Sequence, residues 1–193
     1  MSLEKFNIRN SVLILMIVLA AAMRFVHLDN QNIWANFTPV GAVSLFGGAY
    51  FTDKKKAYLV PLLTLFLSDL LINYLYFHKF IWFYSSAVWV YISFALMVFI
   101  GTKISKINFV NVIVASVAAV VVHWLLTDID PWLHGNLYDK RSIGYVESLV
   151  AAIPFERSLM LGNFIYAFIL FGGFELMKAK FPGLKIQRVL VPR

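Results

Sequence analysis

The chain has 193 residues, a mean hydropathy of +0.76 and a formal net charge of +7 at pH 7. Since 61% of its residues are hydrophobic and only 14% are charged, the composition excludes an ordinary soluble domain and predicts an integral membrane protein. The sequence contains no cysteine, which excludes a disulfide, a thiolate metal site and a cysteine nucleophile within it.

Five apolar runs are long enough to cross a bilayer, since about 20 helical residues span a hydrocarbon core of roughly 30 Å. They occupy residues 10–27, 57–77, 80–101, 107–127 and 158–178. A sixth run, residues 39–51, would be only about 20 Å long as a helix. It is therefore either a short crossing or a segment that re-enters on the same side.

The distribution of lysine and arginine favours a sixth crossing. With six crossings, one side of the membrane carries twelve of these residues and the other side carries five. The first group comprises Lys5, Arg9, Lys54, Lys55, Lys56, Lys103, Lys106, Lys178, Lys180, Lys185, Arg188 and Arg193, and the second comprises Arg24, Lys79, Lys140, Arg141 and Arg157. Because cytoplasmic loops carry the excess of positive charge, both termini are predicted to be cytoplasmic.

The fold class expected from these patterns is all-α: a polytopic bundle of six transmembrane helices with a short second helix. Residues 1–193 are predicted to form a single transmembrane domain. The positive charge then reports orientation in the membrane, so no nucleic-acid partner is expected.

The short second helix begins near Pro39, whose missing N–H costs nothing in a first helical turn. Asn36 and Thr38 are candidates to cap this end of the helix. We expect the end to lie below the outer surface, where the helix dipole and these polar side chains would suit a polar or anionic ligand group. Simple capping with tight packing is the alternative interpretation.

Small residues on the same helix predict close packing. Gly41, Ser44 and Gly48 fall at positions i, i+3 and i+7, so they share one face and allow another backbone to approach. The letters LFGG at 45–48 recur at 170–173. We interpret the recurrence as shared packing chemistry and not as an internal repeat.

Asp69 is the one acidic residue well inside an apolar run. Because a charged side chain in the membrane costs roughly 3 kcal/mol even on the mildest scale, it must be paired, protonated or exposed to water. Arg24 is predicted at a similar depth and is the natural partner, while Asn73 at i+4 shares the face of Asp69. The pattern favours a functional site over a purely structural ion pair.

Four histidines are predicted to lie in the outer half of the molecule, at His27, His78, His123 and His134. No HxxxH or HExxH spacing occurs, so a zinc site has no support. Trp132 belongs to a set of outer aromatic residues that indicates either an interfacial belt or a pocket for a ring-bearing molecule.

Residues 128–157 form the longest predicted outer connection. Its part 144–155 has apolar residues at helical spacing, which predicts a helix that lies along the interface or folds back over the bundle. We interpret it as an amphipathic cover or, alternatively, as a mobile lid.

Three motifs carry a resemblance. "NFTPVGAVSLFGGAYF" from residue 36, "SD" at 68–69 and "AAIPFERSLMLGNFIYAFILFGGFEL" at 151–176 together resemble a widespread bacterial family of small, uncharacterised six-helix membrane proteins. This resemblance implies a multi-pass protein of the bacterial cytoplasmic (inner) membrane. It implies no activity.

More remotely, the architecture is similar to the substrate-binding S-component of energy-coupling factor (ECF) vitamin transporters, nearest to the solitary cobalamin-binding type. That resemblance implies capture of a vitamin such as cobalamin from the outer face and an energising ATPase partner. In that branch a cysteine is thought to meet the cobalt, and this chain has none; His78 is the residue that would substitute for it.

Two functions are therefore expected as alternatives, with membrane lipids as partners in both. The first is a substrate-binding or transport protein that captures a small-molecule ligand, and the second is a non-transporting subunit or assembly factor that packs against another membrane protein. Neither G-x-S-x-G nor a P-loop lysine motif occurs, so no enzyme activity, cofactor or metal is expected. An intramembrane enzyme using Asp69 with a histidine remains a third, weaker hypothesis. The predicted ligand-binding residues are Arg24, Asn36, Thr38, Asp69, Asn73, His78, Trp132 and His134.

Overall fold

A computed structural model describes residues 7–27 and 36–185 of the chain. The helices in chain order are α1 (Ile8–Ala22), continued by a 3-10 turn (Met23–His27), α2 (Val40–Tyr50), α3 (Lys54–Phe77), α4 (Ala87–Thr102), α5 (Phe109–Thr127), α6 (Ile129–His134), α7 (Ser142–Ala167) and α8 (Gly173–Lys180). A π-helical turn (Phe168–Gly172) joins α7 to α8, and a 3-10 turn (Pro182–Leu184) follows. The described residues contain no β-strand, so the predicted all-α class is confirmed.

Four helical stretches are long and apolar enough to cross a membrane, which supports the predicted membrane protein. They are Ile8–Phe25, Lys54–Phe77, Phe109–His134 and Ser142–Lys180. Two further apolar helices, Val40–Tyr50 and Ala87–Thr102, are shorter. Helices of 11 and 16 residues measure only about 17 and 24 Å.

The short helix α2 forms the centre of the bundle. Residues 40–48 are all buried, and α2 packs mainly against α4 and then against α3, α7 and α1. A Cβ atom on Gly48 would overlap the carbonyl oxygen of Val98, and one on Gly101 would overlap that of Leu45. The two glycines therefore allow the backbones of α2 and α4 to approach closely, and the predicted small-residue packing is confirmed.

The start of α2 is organised as its sequence predicts. Pro39 occupies the N-cap position, and Thr38 Oγ1 accepts a hydrogen bond of 3.3 Å from the backbone N–H of Val40. Gly162 of α7 packs against the same turn, because a Cβ there would lie 2.9 Å from Thr38 N. The first turn of the buried helix is thus held between a side-chain cap and a neighbouring backbone.

Two predicted boundaries are wrong. The apolar run at 80–101 becomes helical only at Ala87, because the preceding residues form a non-helical aromatic segment whose Trp82 and Phe83 pack on Phe66. The run at 158–178 is part of a longer helical stretch, Ser142–Lys180, of 39 residues. At about 1.5 Å per residue that stretch is roughly 58 Å long.

The predicted interfacial helix at 144–155 is therefore neither a separate cover nor a separate lid. Its helical spacing continues in the same helix through Pro154, which lies inside α7. A proline removes one backbone hydrogen bond, and membrane helices tolerate this where neighbouring groups compensate. The helix therefore continues past Pro154 and does not end there.

Candidate functional site

A cavity of about 280 Å³ lies at the end of the bundle where α2 begins. Its walls come from the 3-10 turn after α1, the segment before α2, and helices α3, α4 and α5. The lining residues are Arg24, Asn36, Phe37, Thr38, Val40, Leu65, Asp69, Ile72, Tyr76, Tyr84, Val90, Phe94 and His123. The cavity therefore gathers charged and polar side chains from five separate segments at one end of an otherwise apolar bundle.

An ion pair between Arg24 and Asp69 forms one wall of the cavity, as the sequence predicts. Arg24 Nη2 lies 2.7 Å from Asp69 Oδ1, with side chains only 17% and 11% exposed. Arg24 Nη1 also donates to Ser68 Oγ, and Tyr91 OH donates to Asp69 Oδ2 at 3.2 Å. These bonds offset the cost of withdrawing two charges from water, and losing one partner would leave the other buried and unpaired.

Tyr84, in the connection between α3 and α4, completes the surroundings of Asp69. It lines the cavity, and its hydroxyl is hydrogen-bonded to the Asp69 carboxylate. Burial and the negative charge of Asp69 together raise the pKa of Tyr84 to about 12. The phenol therefore stays neutral near pH 7 and acts as a hydrogen-bond donor to the carboxylate.

Asn36 and Thr38 lie at the mouth of the cavity beside the start of α2. Both residues were predicted to serve a ligand there. The amide of Asn36, the hydroxyl of Thr38 and the N-terminal end of α2 together give this edge both donors and acceptors. The helix dipole makes the edge more favourable for a negative than for a positive group.

His123 also lines the cavity, although its sequence position alone did not mark it as a ligand residue. Its Nδ1 lies 3.1 Å from Oε1 of Glu156 on α7, and its ring stacks edge-on against Phe94 at 5.6 Å. Glu156 is buried and was not predicted as a site residue. Had residues 142–180 been recognised as one helix, an acidic residue near its middle would have attracted the same argument as Asp69.

Four of the predicted site residues, Asn73, His78, Trp132 and His134, do not line this cavity. Asn73 lies one turn further along α3 and donates to the carbonyl of Ile81 at 3.5 Å. His78 ends α3 in the left-handed conformation, with φ of 51°, and its backbone N–H bonds Tyr74 O. A residue that closes a helix in this way is explained by its backbone role.

The other two belong to the segment between α5 and α7. Trp132 Nε1 donates to the carbonyl oxygens of Asp139 and Arg141 at 3.0 and 3.2 Å. His134 Nδ1 lies 2.9 Å from Asp130 Oδ1 within α6. Both side chains therefore bind polar groups of their own connecting segment.

A second concave region lies at the opposite end of the bundle, between the start of α5 and the π-helical turn. This groove of about 740 Å³ is lined by Ile107, Asn108, Phe109, Val112, Ile113, Phe164, Ile165, Ala167, Phe168, Ile169, Phe171, Gly172 and Glu175. Its side chains are apolar except at one edge. There Glu175 accepts from Tyr50 OH at 2.7 Å and pairs with Lys178 at 2.6 Å.

Within residues 7–27 and 36–185, no group of three or more His, Asp or Glu side chains is arranged to hold a metal ion. The Arg24 and Asp69 pair can instead present a guanidinium and a carboxylate side by side to a polar molecule. Such a pair recognises hydrogen-bonding groups of either sign.

No curated protein and no solved structure matches the chain, so the resemblance to S-components gains no support from these comparisons. The model of a "Family of unknown function (DUF6580)" matches residues 4–184. That match spans nearly the whole sequence and agrees with the resemblance to an uncharacterised family. The chain belongs to the DUF6580 family.

Proposed function

We propose that this protein is a solute-binding or transport protein of the bacterial inner membrane, and not an enzyme, which captures a small polar molecule beside Arg24 and Asp69. The observation that carries the proposal is a cavity whose wall is a buried ion pair with further hydrogen-bond donors around it. Ionisable residues inside a membrane are expensive, and they usually mark a binding site or a pathway. Solute binding in the cavity would account for the burial of this pair despite its cost.

In the proposed orientation the chain crosses the membrane six times and the cavity opens to the outer face. Arg9 Nη2 donates to Tyr50 O at 2.6 Å, and Lys178 Nζ lies 5.8 Å from the ring of Tyr50. These contacts place the two basic residues at the end of α2, away from Arg24. The end of the bundle richer in lysine and arginine is then cytoplasmic.

The short helix α2 fits this topology despite its length. Gly47 of α2 packs against Pro61 of α3, since a Cβ on Gly47 would lie 2.5 Å from Pro61 Cγ. The chain therefore reverses after Tyr50, and residues 40–48 are buried by protein. A helix surrounded by other helices does not need to match the thickness of the lipid itself.

The volume of the cavity narrows the class of solute. At about 280 Å³, it is at the lower edge of the roughly 300–1,000 Å³ typical of small-molecule pockets. A corrinoid such as cobalamin is far larger, and His78, the residue suggested to meet its cobalt, does not line the cavity. We therefore favour a small polar solute with a carboxylate, amide or hydroxyl group that Arg24 and the N-terminal end of α2 can bind.

A ligand screen on the full chain in detergent tests this function. A solute that binds only the folded state raises the unfolding temperature, and the increase grows with the logarithm of the solute concentration above its Kd. We expect stabilisation of the wild type by a small polar solute, its loss in Asp69→Asn, and its retention in Glu147→Gln, an exposed position on α7. Stabilisation that is equal in all three proteins would overturn the assignment of the cavity.

The second candidate function is a subunit that packs against another membrane protein, for example an energising ATPase complex. The groove favours it, because a Cβ on Gly172 would meet no atom within 4 Å. In contrast, Gly48 and Gly101 are used inside the bundle. A stoichiometric membrane-protein partner that is lost on Gly172→Leu would support this candidate.

A further inference from the structure

The interface between α5 and α7 carries polar side chains at three successive levels. Near its middle, His123 Nδ1 lies 3.1 Å from Glu156 Oε1. Toward one end, Ser148 Oγ donates to the carbonyl oxygen of Asp128 at 3.4 Å. Toward the other end, Asn163 Nδ2 donates to the carbonyl oxygen of a buried serine, Ser116, at 3.3 Å.

These levels form a polar seam along the interface between the two helices. From residue 148 to residue 163 the seam runs fifteen residues along α7, which corresponds to about 22 Å. The side chains of the seam are all buried or nearly so. A buried polar row of this length spans much of the roughly 30 Å thickness of a hydrocarbon core.

Unpaired polar atoms concentrate in the same seam. Among the described residues, four buried side-chain nitrogen or oxygen atoms have no hydrogen-bond partner. Three of the four, Ser116 Oγ, Glu156 Oε2 and Asn163 Oδ1, belong to the seam. Because buried polar groups are nearly always paired, these atoms require an explanation that the packing of the bundle does not supply.

Glu156 is the strongest case, since its unpaired atom is a carboxylate oxygen. The residue is only 7% exposed, and Asp128 lies close enough to interact electrostatically with both Glu156 and His123. Glu156 contacts the imidazole directly, and Asp128 adds a second negative charge to the same buried region. With the imidazole charged and both carboxylates ionised, the cluster still carries one uncompensated negative charge, and one more proton neutralises it.

Among the residues that the structure describes, Glu156 forms no ion pair besides the one with His123. On the side of α4, His123 meets the ring of Phe94. Across the cavity the charged and titratable groups are Arg24, Asp69, Tyr76 and Tyr84, and Arg24 is already paired with Asp69. The positive charge nearest to the cavity is therefore committed to another carboxylate.

We propose that Glu156, supported by His123 and Asp128, is a proton-binding site, and that His123 connects this site to the cavity. Proton exchange between the cavity and Glu156 then needs only the imidazole of His123. A neutral His123 protonated on Nδ1 donates that proton to Glu156 Oε1 and takes up another proton from the cavity side at the free Nε2, so that one proton enters for each proton passed on. The proton site itself does not depend on the proposed function. Only a link between proton exchange and solute binding would rest on that function.

Infrared difference spectroscopy of the full chain in lipid nanodiscs tests the proton site without any solute, using the proton as the probe. We expect the carbonyl band of a protonated carboxylic acid at pH 7, where exposed carboxyl groups are ionised. The band should be lost in Glu156→Gln and retained in Glu147→Gln, the exposed glutamate on the same helix. Absence of the band from wild type, or its survival in folded Glu156→Gln, would overturn the proposal.

If Glu156→Gln fails to fold, the wild type labelled with carboxyl-¹³C glutamate provides a second test. The band at pH 7 should then move to lower frequency, whereas an unmoved band belongs to an aspartate and overturns the assignment to Glu156. The experiments distinguish failure of the proton site from failure of the proposed solute binding. A glutamate band without any bound solute retains the proton site and removes the solute, whereas solute binding without the band retains the cavity function alone.

Discussion

The cavity beside Arg24 and the groove beside Gly172 lie at opposite ends of the bundle and are lined by side chains of opposite character. The cavity is the smaller, about 280 Å³ against about 740 Å³, yet it holds a buried ion pair. The groove is almost entirely apolar, as a surface that faces lipid tails or another helix is expected to be. Size alone would therefore point to the groove, whereas the cost of burying charge points to the cavity.

The two LFGG stretches show the same difference at the level of local packing. The leucine and phenylalanine of both copies are buried, and the rings of Phe46 and Phe171 meet edge-on at 5.5 Å. The glycines differ, since Gly47 and Gly48 lie against Pro61 and the backbone of α4, whereas a Cβ on Gly172 would meet no atom within 4 Å and one on Gly173 only Met16 Cε at 3.8 Å. The shared packing predicted for both copies holds for their large residues and is wrong for their glycines.

The largest expected effect concerns the ion pair of the cavity. Replacing Asp69 with Asn, or Arg24 with Gln, leaves a buried charge without its partner and should cost about 3–5 kcal/mol of stability. The double replacement should cost less than the sum of the two, because it removes both charges. Equilibrium unfolding in detergent measures all three variants, and strictly additive costs would show that the pair is not coupled.

Next in size is the contrast between the two glycine pairs. A Gly48→Ala replacement places a methyl group against the carbonyl of Val98 and should destabilise the protein by about 1–3 kcal/mol. Gly172→Ala is the matched control, and it should be neutral or stabilising by up to about 1 kcal/mol, the usual difference in helix propensity. Thermal unfolding of both variants decides the point, and equal losses would contradict the difference in packing.

A smaller effect separates a buried ion pair from an exposed one. Arg141 donates to Asp139 at the protein surface, and these hydrogen bonds lower the pKa of Asp139. A carboxyl whose pKa is lowered by folding stabilises the protein above its unfolded value of about 3.9, and that contribution is lost as the pH falls toward the folded value.

The melting temperature of Asp139→Asn should therefore lie slightly below that of wild type at pH 7 and approach it near pH 3. Because this pair is exposed, the difference should be far smaller than the one for Asp69. A loss at pH 7 as large as that of Asp69→Asn would contradict the distinction between the two pairs.

The sequence predicted the ion pair because an acidic residue in an apolar run must find a partner at the same depth. It predicted the buried face of α2 because Gly41, Ser44 and Gly48 share a helical spacing. It did not predict the role of Glu156, since the helix containing it was assumed to begin at residue 158. Hydrophobicity identifies the apolar part of a helix, but it does not show how far the helix continues into less apolar sequence.

The predicted ligand residues fall into two groups, those that line the cavity and those that do not. Arg24, Asn36, Thr38 and Asp69 meet at one cavity because the packing around α2 brings together the 3-10 turn after α1, the segment before α2 and helix α3. His78, Trp132 and His134 were chosen for their chemistry and their expected side of the membrane. Loops at one side can bind their own polar partners, and these three residues do so through a helix end and local hydrogen bonds.

The most direct test of the central claim is native mass spectrometry of the protein extracted gently from its own membrane. The account predicts a bound species of small mass on the wild type and on Glu147→Gln, and none on Asp69→Asn. A small molecule bound equally to all three proteins would contradict the role of the ion pair. A wild type without any bound molecule, but with a stoichiometric protein partner, would contradict solute capture and favour the groove as the functional region.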